Sequence, residues 1–210
     1  MNYSVEVISD VICPWCLIGK RRLEKAIAAL GKPVKVRWHA FQLNPAMPKD
    51  GISRKEYRIR KFGSWERSME LDANILAVGK QEGIHFVFDR MERTPNTLDA
   101  HRLIWLADQE GCQDAVVEAL FRAYFTEGRD ISNCQTLIDV VAEAGLDRQR
   151  AEAMLNSDEG MDAIKEAGEQ ARRFRVDSVP LFVINNEITL PGAHPPEDFL
   201  TAFNQTLNSM

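Results

Sequence analysis

The chain has 210 residues, 45% of them hydrophobic, and a formal net charge of -5 from 26 basic and 31 acidic residues that are well mixed. That length and hydrophobic content supply the core of one domain, or of one domain carrying a large insertion, and the charge balance gives no sequence-wide reason to bind a polyanion, so nucleic acid is not an expected partner. Met1-Asn2-Tyr3-Ser4-Val5-Glu6 lacks a basic n-region, the apolar run from Val7 to Ile12 is broken by Ser9 and Asp10, and no stretch reaches the ~18 apolar residues of a spanning helix, which predicts a cytoplasmic protein away from membranes.

In chain order, residues 3–8 alternate, with Val5 and Val7 on one face, and predict a strand entering the core. After Cys13, Leu17, Leu23, Ala26, Ile27 and Leu30 recur at helical spacing and stop at Gly31, a preferred C-terminal residue. Val34-Lys35-Val36-Arg37-Trp38 alternates again, so the chain opens as strand, helix, strand, the crossover unit of a parallel sheet. Beyond Asn44-Pro45 the pattern is helical throughout. The capping box Ser53-Arg54-Lys55-Glu56 opens a first helix, and Gly63-Ser64 restarts the pattern. Helices then run over 64–81, 97–110, 114–126 and 133–144, the last opened by Ser132-x-x-Gln135 and closed by Gly145. Shorter turns lead to Asn156, and an amphipathic helix spans 158–173.

The β-rich run Val179-Pro180-Leu181-Phe182-Val183-Ile184, the turn Asn185-Asn186 and Ile188-Thr189-Leu190 predict a hairpin. Pro195-Pro196 starts a last helix over 197–207. Strands at both ends of the chain must meet to make one sheet. The expected architecture is an α/β domain of residues 1–44 and 158–210, interrupted by an all-helical insertion over 45–157.

Four cysteines are too few for a disulfide-built scaffold. Two of them, in Cys13-Pro14-Trp15-Cys16, fall at the predicted junction of strand and helix, with Pro14 at the first helical position. Unpaired N–H groups and the macrodipole at a helix start favour negative charge, which lowers the Cys13 pKa and raises its fraction of thiolate, the nucleophilic form. Spacing of three places Cys16 about one turn on, in reach for a disulfide and as the later-acting sulfur. Two other readings stand beside this one. Half of a structural zinc site would need a second close ligand pair, which Cys112 and Cys134 do not form, and two cysteines can also fall three apart by coincidence. No metal and no bound cofactor are expected.

Val179-Pro180 is the second half of the candidate site. A proline at a strand start is ordinary in itself. Paired with a C-x-x-C at a βα junction, it predicts a cis peptide that brings the Val179 backbone beside the sulfurs, ready to receive a substrate segment by strand-like pairing.

The blocks Ser9-Asp10-Val11-Ile12-Cys13-Pro14-Trp15-Cys16-Leu17-Ile18-Gly19, Pro95-Asn96-Thr97-Leu98-Asp99-Ala100-His101-Arg102-Leu103, and Val179-Pro180-Leu181-Phe182-Val183 with Gly192-Ala193 resemble the DsbA-like thioredoxin-fold proteins, within them the FrnE-like branch. The resemblance covers nearly the whole chain and implies a thioredoxin-like fold with an inserted helical domain and a protein disulfide oxidoreductase. Related 2-hydroxychromene-2-carboxylate isomerases and kappa-class glutathione transferases typically have serine where this chain has Cys13, and an Asp-Arg pair where it reads Ala193-His194. Both departures argue against isomerase or transferase chemistry and leave glutathione open as a redox partner. Relatives often carry a buried acid six residues before the first cysteine; Val7 stands there, which leaves proton transfer to Cys16 unassigned.

The resemblance also suggests that Asn96, His101 and Arg102 face a cleft between the domains, although such residues commonly stabilise a helix or its packing. His194 is a further cleft candidate. Asp10 is read as a solvent-facing turn residue, Trp15 as a lid over the site or an aromatic packed on the insertion, and Cys112 and Cys134 as buried inert thiols. Lys20-Arg21-Arg22 and the stretch from Arg54 to Lys61 are read as solvated faces, with a basic rim for acidic peptides or glutathione's carboxylates as the alternative.

Dithiol exchange through Cys13 and Cys16, with protein or small-molecule thiols and disulfides as partners, is the leading function. A glutathione-dependent isomerase or transferase and a non-catalytic peptide-binding or chaperone module are the alternatives. The insertion offers a possible homodimer surface without identifying one.

Overall fold

The computed structural model describes residues 3–207, so Met1 and Asn2 of the N-terminal reading lie outside the described residues. In β1 (Tyr3–Ser9) every second side chain, Tyr3, Val5, Val7 and Ser9, is buried. α1 (Pro14–Leu30) buries Cys16, Leu17, Leu23 and Ala26 and ends at Gly31, whose φ of 64° is the left-handed conformation that glycine adopts without penalty. β2 (Val34–Ala40) then lies parallel to β1, with Val36 beside Val5 and Trp38 beside Val7.

The insertion begins with β3 (Ile52–Ser53), α2 (Arg54–Phe62) and α3 (Trp65–Gln81). β4 (Arg93–Thr94), α4 (Leu98–Gln109), α5 (Gln113–Phe125), α6 (Cys134–Glu143) and α7 (Arg148–Leu155) follow, and α8 (Met161–Arg173) leads back to the sheet. β5 (Leu181–Ile184) runs antiparallel to β1, and β6 (Ile188–Pro191) completes the strand order β2-β1-β5-β6. Asn185 and Asn186 make the hairpin turn at φ of 49° and 57°, a region that asparagine tolerates better than most side chains. α9 (Pro196–Leu207) packs against α1 and β5. Phe199 meets Phe182 edge-on at 4.9 Å, and Phe203 meets Tyr3 at 5.4 Å. Each fully buried phenylalanine contributes roughly 1.5–3 kcal/mol of transfer free energy.

Trp38 joins the insertion to the sheet. Its backbone N–H donates to Gln113 Oε1 and its carbonyl accepts from Gln113 Nε2, both at 2.9 Å. The indole N–H donates to Asp114 at 2.9 Å, and the ring rests edge-on against Phe121. A glutamine side chain thus satisfies the outer edge of β2, while α4, α5 and α8 cover the strand.

The insertion departs from the expectation in four places. It is not all-helical: β3 and β4 pair antiparallel, Ile52 opposite Thr94, in a ladder too short to leave an alternating pattern in the sequence. Gly51 permits this close approach, since a Cβ there would lie 2.4 Å from the Thr94 carbonyl oxygen. Ser53 makes no side-chain capping bond, and the Arg54 N–H at that helix start donates to the Glu92 carbonyl instead. Asn133 rather than Ser132 caps α6, while the Ser132 hydroxyl turns back to Asp130. α7, where only turns are expected, is a short helix capped by Asp147 onto the Arg150 N–H.

The Lys20-Arg21-Arg22 segment is not a solvated face either. Lys20 is buried and paired with Glu24, Asp114 and Glu118; Arg21 pairs with Glu118, and Arg22 with Glu82 and the Ala193 carbonyl. These pairs tie α1 to α3 and α5. Among the described residues, no helix is long and apolar enough to cross a membrane.

Candidate active site

Cys13 caps α1 in extended conformation, φ -93° and ψ 111°, and Pro14 opens the helix where its missing N–H leaves no bond unmade. The turn before it is fixed by the Cys13 N–H donating to the Asp10 carbonyl at 3.0 Å. Both thiols are free, with Cys16 fully buried and Cys13 only 6% exposed. The Val179–Pro180 bond is cis, and the Val179 carbonyl accepts from the Cys13 thiol at 3.5 Å. β5 therefore delivers a backbone acceptor to the first turn of α1. Pro180 is buried against Gly19, one turn beyond Cys16.

The two sulfurs are driven in opposite directions. The hydrogen bond from the Cys16 thiol holds the Cys13 pKa below its ordinary value, aided by the Cys16 and Trp15 backbone N–H groups and opposed by burial and the Asp10 charge. Burial pushes Cys16 well above the ordinary thiol value, and its bond to Cys13 and the nearby charges push the same way. One sulfur is set up as the thiolate and the other as its proton-bearing neighbour.

Cys13 opens into a cavity of about 340 Å³, whose lining includes Pro14, Trp15, Arg54, Tyr57, Arg58 and Lys61. Spacing of three, four and seven residues puts those four α2 side chains on one helical face. Asp72 of α3 accepts from Arg54 at 2.7 Å and Arg58 at 2.5 Å, so one carboxylate faces two guanidiniums, and Lys61 adds to the net positive charge of the wall. Burial lowers the Arg58 pKa against the pull of Asp72. This stretch is therefore part of the cavity wall rather than a solvated face, and the spacing of 54, 57, 58 and 61 is the signal that marks it in the sequence.

None of the four other cleft candidates reaches this cavity. Asn96 caps the Leu98 N–H and donates to the Met47 carbonyl, and Arg102 donates to the Met154, Ser157 and Glu159 carbonyls. Both line a separate cavity of about 430 Å³ that shares no wall residue with the Cys13 cavity. His101 is buried behind the site, and His194 pairs with Asp198 on α9. Asp10, read as a solvent-facing turn residue, is fully buried, accepting from the Leu43 N–H at 2.8 Å and bonded to His101 Nε2 at 3.1 Å. Cys112 is half-buried and Cys134 exposed, neither a buried core thiol. Trp15 both lines the cavity and packs on the core, so the two readings of it coincide.

A four-stranded sheet carrying a dithiol at the first helix start, with a cis-proline strand beside it, defines a thioredoxin-type fold, here with a helical insertion. The chain belongs to the DsbA-like thioredoxin domain family, which matches residues 4–204. It is similar to a probable DsbA oxidoreductase from Streptomyces coelicolor, at 30% identity and a TM-score of 0.91, covering 99% of this chain and 91% of that one. An uncharacterized protein YwbO of Bacillus subtilis (strain 168) is 27% identical over 97% of both chains. The cytosolic disulfide reductase DsbM from Pseudomonas aeruginosa, in a structure with GSH, shares the fold at 20% identity and a TM-score of 0.66, over 98% of this chain and 99% of that one.

Proposed function

We propose that the protein is a cytoplasmic thiol-disulfide oxidoreductase that works by dithiol exchange through Cys13 and Cys16. The observation that carries this reading is the pair of free thiols at the start of α1, with the carbonyl before the cis-proline accepting from Cys13 at 3.5 Å. The Cys13 thiolate attacks a substrate disulfide, forming a mixed disulfide and releasing the first substrate thiol. Cys16 then attacks the Cys13 sulfur, which releases the second thiol and leaves the Cys13–Cys16 disulfide, so the substrate gains two electrons and the protein loses them. Two molecules of a thiol such as glutathione return the protein to the dithiol and leave as their own disulfide, and the same steps run backwards oxidise a substrate.

The cavity supports acceptance of small or extended disulfides bearing negative charge, because Lys61 and the Arg54–Arg58–Asp72 cluster form its wall. The DsbM structure with GSH supports glutathione as the thiol partner. Potentials of thioredoxin-like and DsbA-like dithiols differ by about 150 mV, roughly 7 kcal/mol for two electrons. A titration against graded glutathione buffers, followed by Trp15 fluorescence, tests the reading. The expected result is a two-electron transition that disappears in both Cys13→Ser and Cys16→Ser. A transition that survives loss of Cys16 would replace dithiol exchange with chemistry at a single thiol, as in a glutathione-dependent isomerase.

A further inference from the structure

The end of α8 and the loop after it lead directly to the dithiol. Val179, whose carbonyl accepts from the Cys13 thiol, is preceded by Arg172-Arg173-Phe174-Arg175-Val176-Asp177-Ser178. Phe174 is 81% exposed, against 47% for Met69, the next most exposed large hydrophobic side chain among the described residues. Arg172, Arg173 and Arg175 flank it. All three are exposed, and among the described residues none of them makes a side-chain hydrogen bond or ion pair. That sets them apart in this chain, where every other arginine except Arg90 is ion-paired.

Local structure accounts for only part of this. Cations in the last turn of a helix complement its dipole, which suits Arg172 and Arg173. Phe174 and Arg175 gain nothing from that. A lone exposed apolar side chain is ordinary on a protein surface, but Phe174 stands among three unpaired cations. Arg175 holds φ of 55°, a left-handed conformation that glycine adopts freely and arginine does not. The backbone beyond it is open as well: among the described residues, nothing bonds to the N–H or carbonyl of Asp177 or Ser178, or to the Val179 N–H. Unpaired backbone of this kind is what an added strand pairs with. Phe174 precedes Val179 by five residues, so it lies within about 18 Å of the Val179 backbone however the loop runs.

We propose that the segment from Arg172 to Val179 is a docking surface for an acidic stretch of a polypeptide disulfide substrate, whose carboxylates meet Arg172, Arg173 and Arg175 and whose apolar side chain covers Phe174. The inference rests on the dithiol reading above and names the substrate class for it. The attacked cysteine sits at Cys13, the substrate backbone pairs along Asp177 to Val179, and the acidic flank reaches the end of α8. An extended flank of about five or six residues spans that distance. Asp177 is the one acid within the segment and leaves it net positive. A polypeptide fits better than a polyanion without backbone amides, because open N–H and carbonyl groups lie between the cations and the thiol. The α2 wall with Lys61 also carries positive charge toward Cys13, so the test must separate the two.

The test uses full-length reduced protein carrying Cys112→Ser and Cys134→Ser, so that only the dithiol reports. The substrates are two peptides whose single cysteine is a mixed disulfide with thionitrobenzoate. One has an Asp- and Glu-rich flank with a leucine, and the other has Asn and Gln in place of the acids. Release of thionitrobenzoate reads the attack by the protein. At low salt the parent should react about tenfold faster with the acidic peptide, and salt should remove the difference. Arg172→Gln/Arg173→Gln/Arg175→Gln should bring the advantage below about twofold and leave the rate with neutral hydroxyethyl disulfide unchanged. Phe174→Ser should slow both peptides and spare the neutral disulfide, and it decides the matter if the triple variant does not fold. No difference between the peptides in the parent, or an advantage that survives the triple substitution and so belongs to the Lys61 wall, would overturn the proposal, as would peptide rates indifferent to Phe174→Ser. Phosphatidylserine vesicles or a single-stranded oligonucleotide that outcompete the acidic peptide at equal charge would overturn the polypeptide assignment. If the parent releases no thionitrobenzoate from any substrate, the dithiol reading fails by itself. Docking is then read from the anisotropy of the labelled acidic peptide with serine for cysteine, which should rise with the parent and not with the triple variant; no rise with the parent would overturn the docking surface too.

Discussion

Gly19 separates helix propensity from packing at the point where α1 meets the strand beside the dithiol. Alanine in a helix interior is favoured over glycine by about 1 kcal/mol, and by that measure alone Gly19→Ala would stabilise the protein. A Cβ at Gly19 would lie 2.8 Å from Cζ of Phe182 and 3.2 Å from Cγ of Pro180. Phe182 is fully buried and locked edge-on against Phe199, so its ring has no space to retreat. Overpacking of that kind costs typically about 1–3 kcal/mol, which leaves a net loss of about 0–2 kcal/mol against the propensity gain. Gly168 in α8 is the control, because nothing lies within 4 Å of a Cβ there. Gly168→Ala should gain about 1 kcal/mol. The two variants should thus melt in opposite directions from wild type, at about 2–4 °C per kcal/mol for a chain of this size. Urea unfolding of the reduced protein measures the same difference. A Gly19→Ala protein as stable as Gly168→Ala would refute the claim that close packing of α1 on β5 sets the geometry around Cys16.

Other outcomes follow from the same contacts. Because the Cys16 pKa is raised well above 9.0, the folded dithiol keeps a proton that the unfolded chain gives up; its stabilising contribution is full below about pH 9.0 and is lost as pH rises through the folded value. Unfolding midpoints across that window should show this loss in wild type and not in Cys16→Ser. Asp72→Asn leaves Arg54 and Arg58 close together without their carboxylate, and breaking a buried pair in this way costs about 3–5 kcal/mol. A loss below about 1 kcal/mol in urea would instead match a solvated surface pair. Lys61→Glu should slow attack of Cys13 on an anionic disulfide a few-fold at low salt and leave a neutral disulfide unaffected. Stopped-flow rates that ignore both substrate charge and ionic strength would remove the basic wall from substrate recognition.

Features that depend on neighbours in the chain were legible in the sequence. The alternation of residues 3–8, the helical spacing ending at Gly31 and the Asn185-Asn186 turn place their elements to within a residue or two. Cys13-Pro14-Trp15-Cys16 at a strand–helix junction already points to a stabilised thiolate, because a helix start exposes N–H groups wherever it occurs. The β3–β4 ladder escaped notice because two residues carry no period, and α7 because its sequence has little apolar repeat.

Contacts between distant segments required the tertiary structure. Asp10 reads locally as a polar turn residue, and only the arrival of Leu43 and His101 makes it a buried carboxylate. The Arg54, Tyr57, Arg58 and Lys61 face was visible as a spacing, yet nothing in the sequence shows that it faces Cys13, since the path from α1 runs through β2 and the loop after it. Lys20 looks like a surface cation until Asp114 and Glu118 are brought to it from α5. The sequence by itself determined the longer elements and the place of the two cysteines at a helix start, because these follow from local spacing and backbone hydrogen bonding. Which charged side chains are buried, paired or turned toward the thiols depends on burial and distance, and those quantities exist only once the chain has closed on itself.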